Sequence, residues 1–106
     1  MRLFVYGTLC DARLRRRLAG RALPARPAVL PGWRRVRLRF TPYPTLRRAR
    51  AQVVGLLLRA DAVSLRRFAA YEGARYRLCP VRVRRAGRTV AAHAWIGDAS
   101  LPRSWP

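Results

Sequence analysis

"LFVYGTLC", residues 3–10, decides how the rest of the chain is read. Leu3, Phe4, Val5 and Tyr6 form an apolar, strand-favouring run, and Gly7–Thr8 breaks it. A strand that ends in Gly–Thr ahead of a helix leaves several amide N–H groups without partners. Such a turn can act as an anion-binding nest, although an ordinary βα turn fits the same residues.

Outward from this turn, "DARLRRRLAG" (11–20) reads as a short helix. Asp11 caps it, Leu14 and Leu18 share a face, and Gly20 stops it. "LPARPAVLPGW" (23–33) is proline-rich, so any strand there is expected to be short and at a sheet edge. Residues 33–40 alternate apolar and polar and read as a strand, and "TPYPTL" (41–46) as an irregular loop. "QVVGLLLR" (52–59) is a buried strand interrupted at Gly55, by a bulge or a close backbone approach. Asp61 caps a second helix that ends near Gly73, and residues 76–97 form a hairpin turning at Ala86–Gly87–Arg88. The expected fold is α+β: a small mixed β-barrel, closed or nearly so, flanked by two short helices.

The 106 residues predict a single domain over 1–106, and 51% hydrophobic content supports a core without covalent staples. No secretory leader is visible, and no apolar run approaches the ~20 residues of a membrane span. The expectation is a cytoplasmic protein with no membrane partner. Cys10 and Cys79 form no CxxC motif and read as reduced thiols. No His/Cys/acid grouping has metal-ligand spacing, and P-loop, GxGxxG, HExxH and GxSxG patterns are absent, so neither metal nor cofactor is expected.

The net charge is +20, with 24 arginines and no lysine. Such a composition is what a GC-rich genome writes. A polyanion-binding surface is the functional alternative. Arg35, Arg37 and Arg39 alternate with Val36, Leu38 and Phe40, and Arg82 and Arg84 with Val81 and Val83. This is the pattern of half-buried strands with a solvated face. Any nucleic-acid binding through these arginines would be weak, sequence-independent and salt-sensitive.

Glu72 is the only glutamate. Leu65, Phe68, Ala69 and Glu72 stand at i, i+3, i+4 and i+7, so the carboxylate lies on the apolar side of its helix. It also lies near the helix C-terminus, where the dipole disfavours an anion. Desolvation and dipole would both raise its pKa toward that of a working general base; pairing with an arginine would lower it instead. Tyr43 and Tyr76 are candidates for a pocket wall or for the core. His93, the only histidine, reads as a structural or exposed strand residue.

"FVYGTL", "PYPTL", "VVGLLL", "YEGARYRLCPVRV" and "AWIGD" occur in an order that resembles the gamma-glutamylcyclotransferase-like family, in its small bacterial type. The resemblance runs from Leu3 to about Asp98. It implies a small mixed β-barrel and an activity that cyclises a gamma-glutamyl group to 5-oxoproline, releasing an amine or peptide. It implies that Tyr6, Gly7, Thr8 and Leu9 cradle the gamma-glutamyl head, that Glu72 is the catalytic acid/base, and that Tyr76 lines the pocket. Two positions depart from the family pattern: Ala69 stands where an acidic residue is frequent, and Cys10 where a basic one is common. A non-catalytic small-ligand-binding member of the same fold and a basic nucleic-acid-binding module remain open beside the enzyme.

Overall fold

Leu3, Phe4, Val5 and Tyr6 are all buried, because the strand they form is covered on both faces. A computed structural model describes residues 1–97 and shows how. Successive side chains of a strand point to opposite sides. Phe4 and Tyr6 therefore enter one apolar cluster, with Leu30, Leu46 and Val83, inside a barrel. Leu3 and Val5 enter a second, with Leu9, Phe68 and Trp95, between the barrel and the helices.

The elements are β1 (Arg2–Val5), a 3₁₀ turn (Thr8–Cys10), α1 (Ala12–Ala19), β2 (Ala25–Arg37), β3 (Pro44–Arg59), α2 (Ala62–Glu72), β4 (Tyr76–Arg85) and β5 (Arg88–Gly97). The strands close a barrel in the order β1–β3–β2–β4–β5. Neighbouring strands run antiparallel except β1 and β5, which are parallel and meet at Leu3↔His93.

Both helices begin and end where their caps dictate. The Asp11 carboxylate accepts from the Arg13 amide, and Gly20 ends α1 at φ 78°. The Asp61 carboxylate accepts from the Ser64 amide, and Gly73 ends α2 at φ 84°. The β4–β5 hairpin turns on Ala86 and Gly87, both at positive φ, as a two-residue hairpin turn requires.

Three expectations need correction. The proline-rich stretch is not a short edge strand. It belongs to β2, which runs 13 residues from Ala25 to Arg37 and lies between β3 and β4. Pro27 and Pro31 fit because β2 makes its long ladder with β3, whereas the ladder to β4 has one register pair, Val29↔Arg84. The two prolines flank that pair and bring no N–H to extend it.

The strand expected over 33–40 is the second half of β2 and ends at Arg37, because the Leu38 carbonyl accepts from the Thr41 amide and turns the chain. Finally, Pro44, Thr45 and Leu46 are not loop. They open β3, opposite Arg37, Val36 and Arg35. The ladder irregularity lies between Pro31 and Trp33, around Gly32 at φ 86°. Gly55 serves the close approach instead: a Cβ there would lie 2.3 Å from the Val5 carbonyl oxygen.

Candidate active site

The C-terminal end of β1 feeds directly into a cavity of about 160 Å³. Val5, Tyr6, Gly7, Thr8 and Leu9 form one wall. Tyr71 and Glu72, the last residues of α2, form the opposite side, with Tyr76 from the start of β4. Tyr43 and Pro44 at the start of β3, and Trp95 of β5, complete it. The six residues that the resemblance assigns to the site, Tyr6, Gly7, Thr8, Leu9, Glu72 and Tyr76, therefore line one cavity, together with Tyr43. Larger depressions of about 360, 370 and 390 Å³ lie elsewhere, but they are more open and no acid lines them.

The wall is held by hydrogen bonds that cross between elements. The Tyr6 hydroxyl donates to the Trp95 carbonyl, and the Tyr76 hydroxyl donates to the Pro44 carbonyl at 2.8 Å. Thr8 Oγ1 and the Tyr71 hydroxyl are 2.7 Å apart and tie the turn to the end of α2. The amides of Gly7, Thr8 and Leu9 open the 3₁₀ turn, where the first N–H groups have no partner within the turn. Arg15, itself buried, donates from Nη1 to the carbonyls of Leu9 and Cys10, both at 2.9 Å, and so fixes the far side of the turn. Gly7 is a matter of space. A Cβ there would lie 3.0 Å from the ring of Pro44.

Glu72 is half-buried, and burial pushes its carboxyl up to about 7. No arginine pairs with it among the described residues, where Arg21–Asp61 is the one ion pair. The two possibilities that the sequence left open thus separate: desolvation governs this carboxyl, and pairing does not. The same burial, helped by the nearby Glu72 charge, pushes the Tyr76 hydroxyl up to about 12 and the Tyr6 hydroxyl far above its ordinary value. Both phenols therefore stay protonated donors at neutral pH.

Sequence reasoning missed Tyr71, Pro44, Trp95 and Arg15. Tyr71 was legible as the neighbour of Glu72, but it lies one helical step off the apolar face. Arg15 is hidden among its neighbours in a run of three arginines. His93 stands apart from this cavity, opposite Pro80 on the β4–β5 ladder. Cys10 and Cys79 are both free, and burial pushes the Cys10 thiol up. No group of His, Cys, Asp and Glu among the described residues could hold a metal. No helix among them is long and apolar enough to cross a membrane.

The family model for gamma-glutamyl cyclotransferase, AIG2-like, matches residues 3–104. The chain belongs to that family. Its barrel and two helices are those of solved relatives. An Arabidopsis thaliana protein with a solution structure is 25% identical, with a TM-score of 0.82 over 99% of this chain and 68% of that one. A second Arabidopsis thaliana solution structure is 24% identical, with a TM-score of 0.79 over 94% of this chain and 72% of the other. A structure described as a gamma-glutamyl cyclotransferase shares the fold at 12% identity, with a TM-score of 0.77 over 92% of this chain and 66% of that chain. No curated protein matches the chain. Membership supports a cyclotransferase-type activity on small gamma-glutamyl compounds at the level of the family.

Proposed function

We propose that the chain converts a gamma-glutamyl amine or peptide to 5-oxoproline and the free amine, with Glu72 as general acid and base. The observation that carries this reading is a half-buried, unpaired carboxyl with a pKa of about 7, in one cavity with the Gly7–Leu9 turn. A base poised near the working pH transfers protons best in both directions.

The chemistry moves two protons from the attacking nitrogen to the leaving one. The α-ammonium of the substrate gives a proton to the Glu72 carboxylate, and the freed nitrogen attacks the γ-carbonyl carbon. A tetrahedral intermediate forms, and its oxygen gains negative charge. Amide N–H groups of the turn are suited to stabilise either that oxygen or the α-carboxylate. Glu72 then returns the proton to the leaving nitrogen, and the old C–N bond breaks as the oxyanion collapses to the carbonyl. The ring nitrogen gives up its second proton, which the freed amine takes up, so that a neutral five-membered lactam departs. Ring closure is intramolecular, so a wall that holds the substrate folded supplies much of the acceleration. The cradle assigned here is Tyr6, Gly7, Thr8 and Leu9, with Tyr76 as the adjacent wall. Every step uses side chains and amides of this chain, and the proposed setting is a reducing cytoplasm, in keeping with two free thiols.

The test is 5-oxoproline release from a panel of gamma-glutamyl amines and dipeptides. Wild type is expected to turn over at least one of them. Glu72→Gln keeps the shape and removes the base, and is expected to lower kcat by roughly 10²–10⁴-fold. No turnover across the panel favours a ligand-binding role for the same cavity. Turnover that survives the substitution removes Glu72 from the mechanism.

A further inference from the structure

Four arginines come together at one end of the barrel. Arg2, Arg26, Arg59 and Arg85 come from four different strands and surround one depression of about 360 Å³. Each lies two residues from a side chain packed in the barrel interior: Phe4, Ala28, Leu57 and Val83. Residues two apart share a face of a strand, so these four arginines ring the end of the barrel. It is the end opposite to the cavity of Glu72, and the two share no lining residue.

From this ring a second depression, of about 390 Å³, continues along β2 and β4 through Arg84 and shares Arg85 with the first. A third, of about 370 Å³, follows with Arg82, Arg48 and Trp33. The second and third lie along the seam that Pro27 and Pro31 keep from zipping, where Val29↔Arg84 is the one register pair. From Arg26 to Trp33 the seam is about 23 Å long at ~3.3 Å per residue.

We propose that this seam and the ring at its foot bind single-stranded nucleic acid. Charge gives the first argument. None of Arg2, Arg26, Arg59, Arg82, Arg84 and Arg85 pairs with an acid among the described residues. Guanidiniums crowded around one depression repel one another, and a polyanion relieves that repulsion.

The floor gives the second. Pro27 and Val54 lie exposed in the middle depression, and Pro31, Trp33 and Pro80 line the third. The Arg48 guanidinium sits 5.0 Å from the centroid of the Trp33 ring. A groove that pairs cations with apolar and aromatic surface suits a strand whose bases are unstacked. A duplex presents only phosphates to such a groove and leaves that floor unused.

The proposal is tested by fluorescence anisotropy with a labelled oligothymidine of about twelve nucleotides, across a salt series. Wild type is expected to bind with a Kd on the order of 10⁻⁶ M at low salt, weakening as salt rises. A seam variant, Arg26→Ser with Arg82→Ser, Arg84→Ser and Arg85→Ser, should bind at least tenfold more weakly. Its log–log salt slope should be shallower by about 3, since each phosphate contact on a single strand contributes ~0.7.

A control variant removes four exposed helical arginines, Arg13, Arg16, Arg17 and Arg66, and has the same net charge; it should stay within about twofold of wild type. Trp33→Leu leaves the charge untouched and should cost about fivefold or more, the effect of one lost stacking partner. That variant decides the matter even if the seam variant fails to fold by circular dichroism. Equal losses in seam and control variants, no effect of Trp33→Leu, or equally tight binding of duplex DNA or polyglutamate would each overturn the proposal.

Discussion

Glu72 illustrates what a single residue contributes when its surroundings withhold a partner. Its carboxyl titrates near 7 in the folded protein, against an ordinary value of 4.5, because burial penalises the charge. The folded state therefore binds this proton more tightly than the unfolded chain does. Stability is unaffected below about pH 4.5 and falls as pH rises toward 7. The loss should reach about 2 kcal/mol, allowing for the solvent that still reaches the side chain. Urea titrations of wild type and Glu72→Gln between pH 4 and 8 should show this slope in the first and its absence in the second. Identical slopes would mean that Glu72 is not desolvated. The sequence placed Glu72 on the apolar face by its spacing from Leu65 and Phe68. It could not say which of 24 arginines would come within reach, since pairing depends on tertiary distance. The structure answers that none does among the described residues.

At the scale of elements, caps and turns were legible and strand lengths were not. Asp11, Gly20, Asp61 and Gly73 bound their helices through local hydrogen bonds and local dihedrals, which the sequence encodes directly. Pro27 and Pro31 were misleading, because a missing N–H argues against a strand only where a neighbour needs that donor. In β2 the missing donors leave the ladder to β4 at one register pair, and the long ladder to β3 stays intact. Gly55 was legible as an anomaly, and the structure supplies its cause. Gly55→Ala would drive a methyl group to 2.3 Å from the Val5 carbonyl oxygen and 2.7 Å from the Phe4 ring. Backbone on one side and a fully buried ring on the other leave little room to yield. The substitution should destabilise the protein by roughly 1–3 kcal/mol or more, read as a lowered urea midpoint. It should also disturb the cavity wall, since Val5 leads into the Gly7 turn. A neutral result would show that β1 and β3 are not packed this closely.

For the whole molecule, charge outweighs every other feature of the surface. A net +20 with one ion pair among the described residues leaves the folded chain under self-repulsion. Salt screens such repulsion over a Debye length of about 8–10 Å near physiological ionic strength. Thermal melts should shift upward by several degrees between about 0.02 M and 0.5 M sodium chloride, since ~1 kcal/mol corresponds to roughly 4–8 °C in a domain of this size. A flat or falling Tm would mean that the arginines are compensated in a way the fold does not reveal. The count of arginines was plain from the sequence, and alternation accounted for those on β2 and β4. That Arg2, Arg26, Arg59 and Arg85 meet at one barrel end was not legible, because it depends on which strands become neighbours, and chain order does not give β1–β3–β2–β4–β5.

The closure of the barrel also has a consequence in time. Leu3 pairs with Leu58 on one side and with His93 on the other. At ~5–20 residues per second, a ribosome takes roughly 5–20 s to proceed from Leu3 to His93. For much of that interval Leu3 to Tyr6 is an apolar strand that lacks its cover and at least one neighbour. Contacts so distant in sequence also form slowly once both partners exist. The segment that ends as the most buried strand of the fold is thus the one a nascent chain must shield longest from other nascent chains.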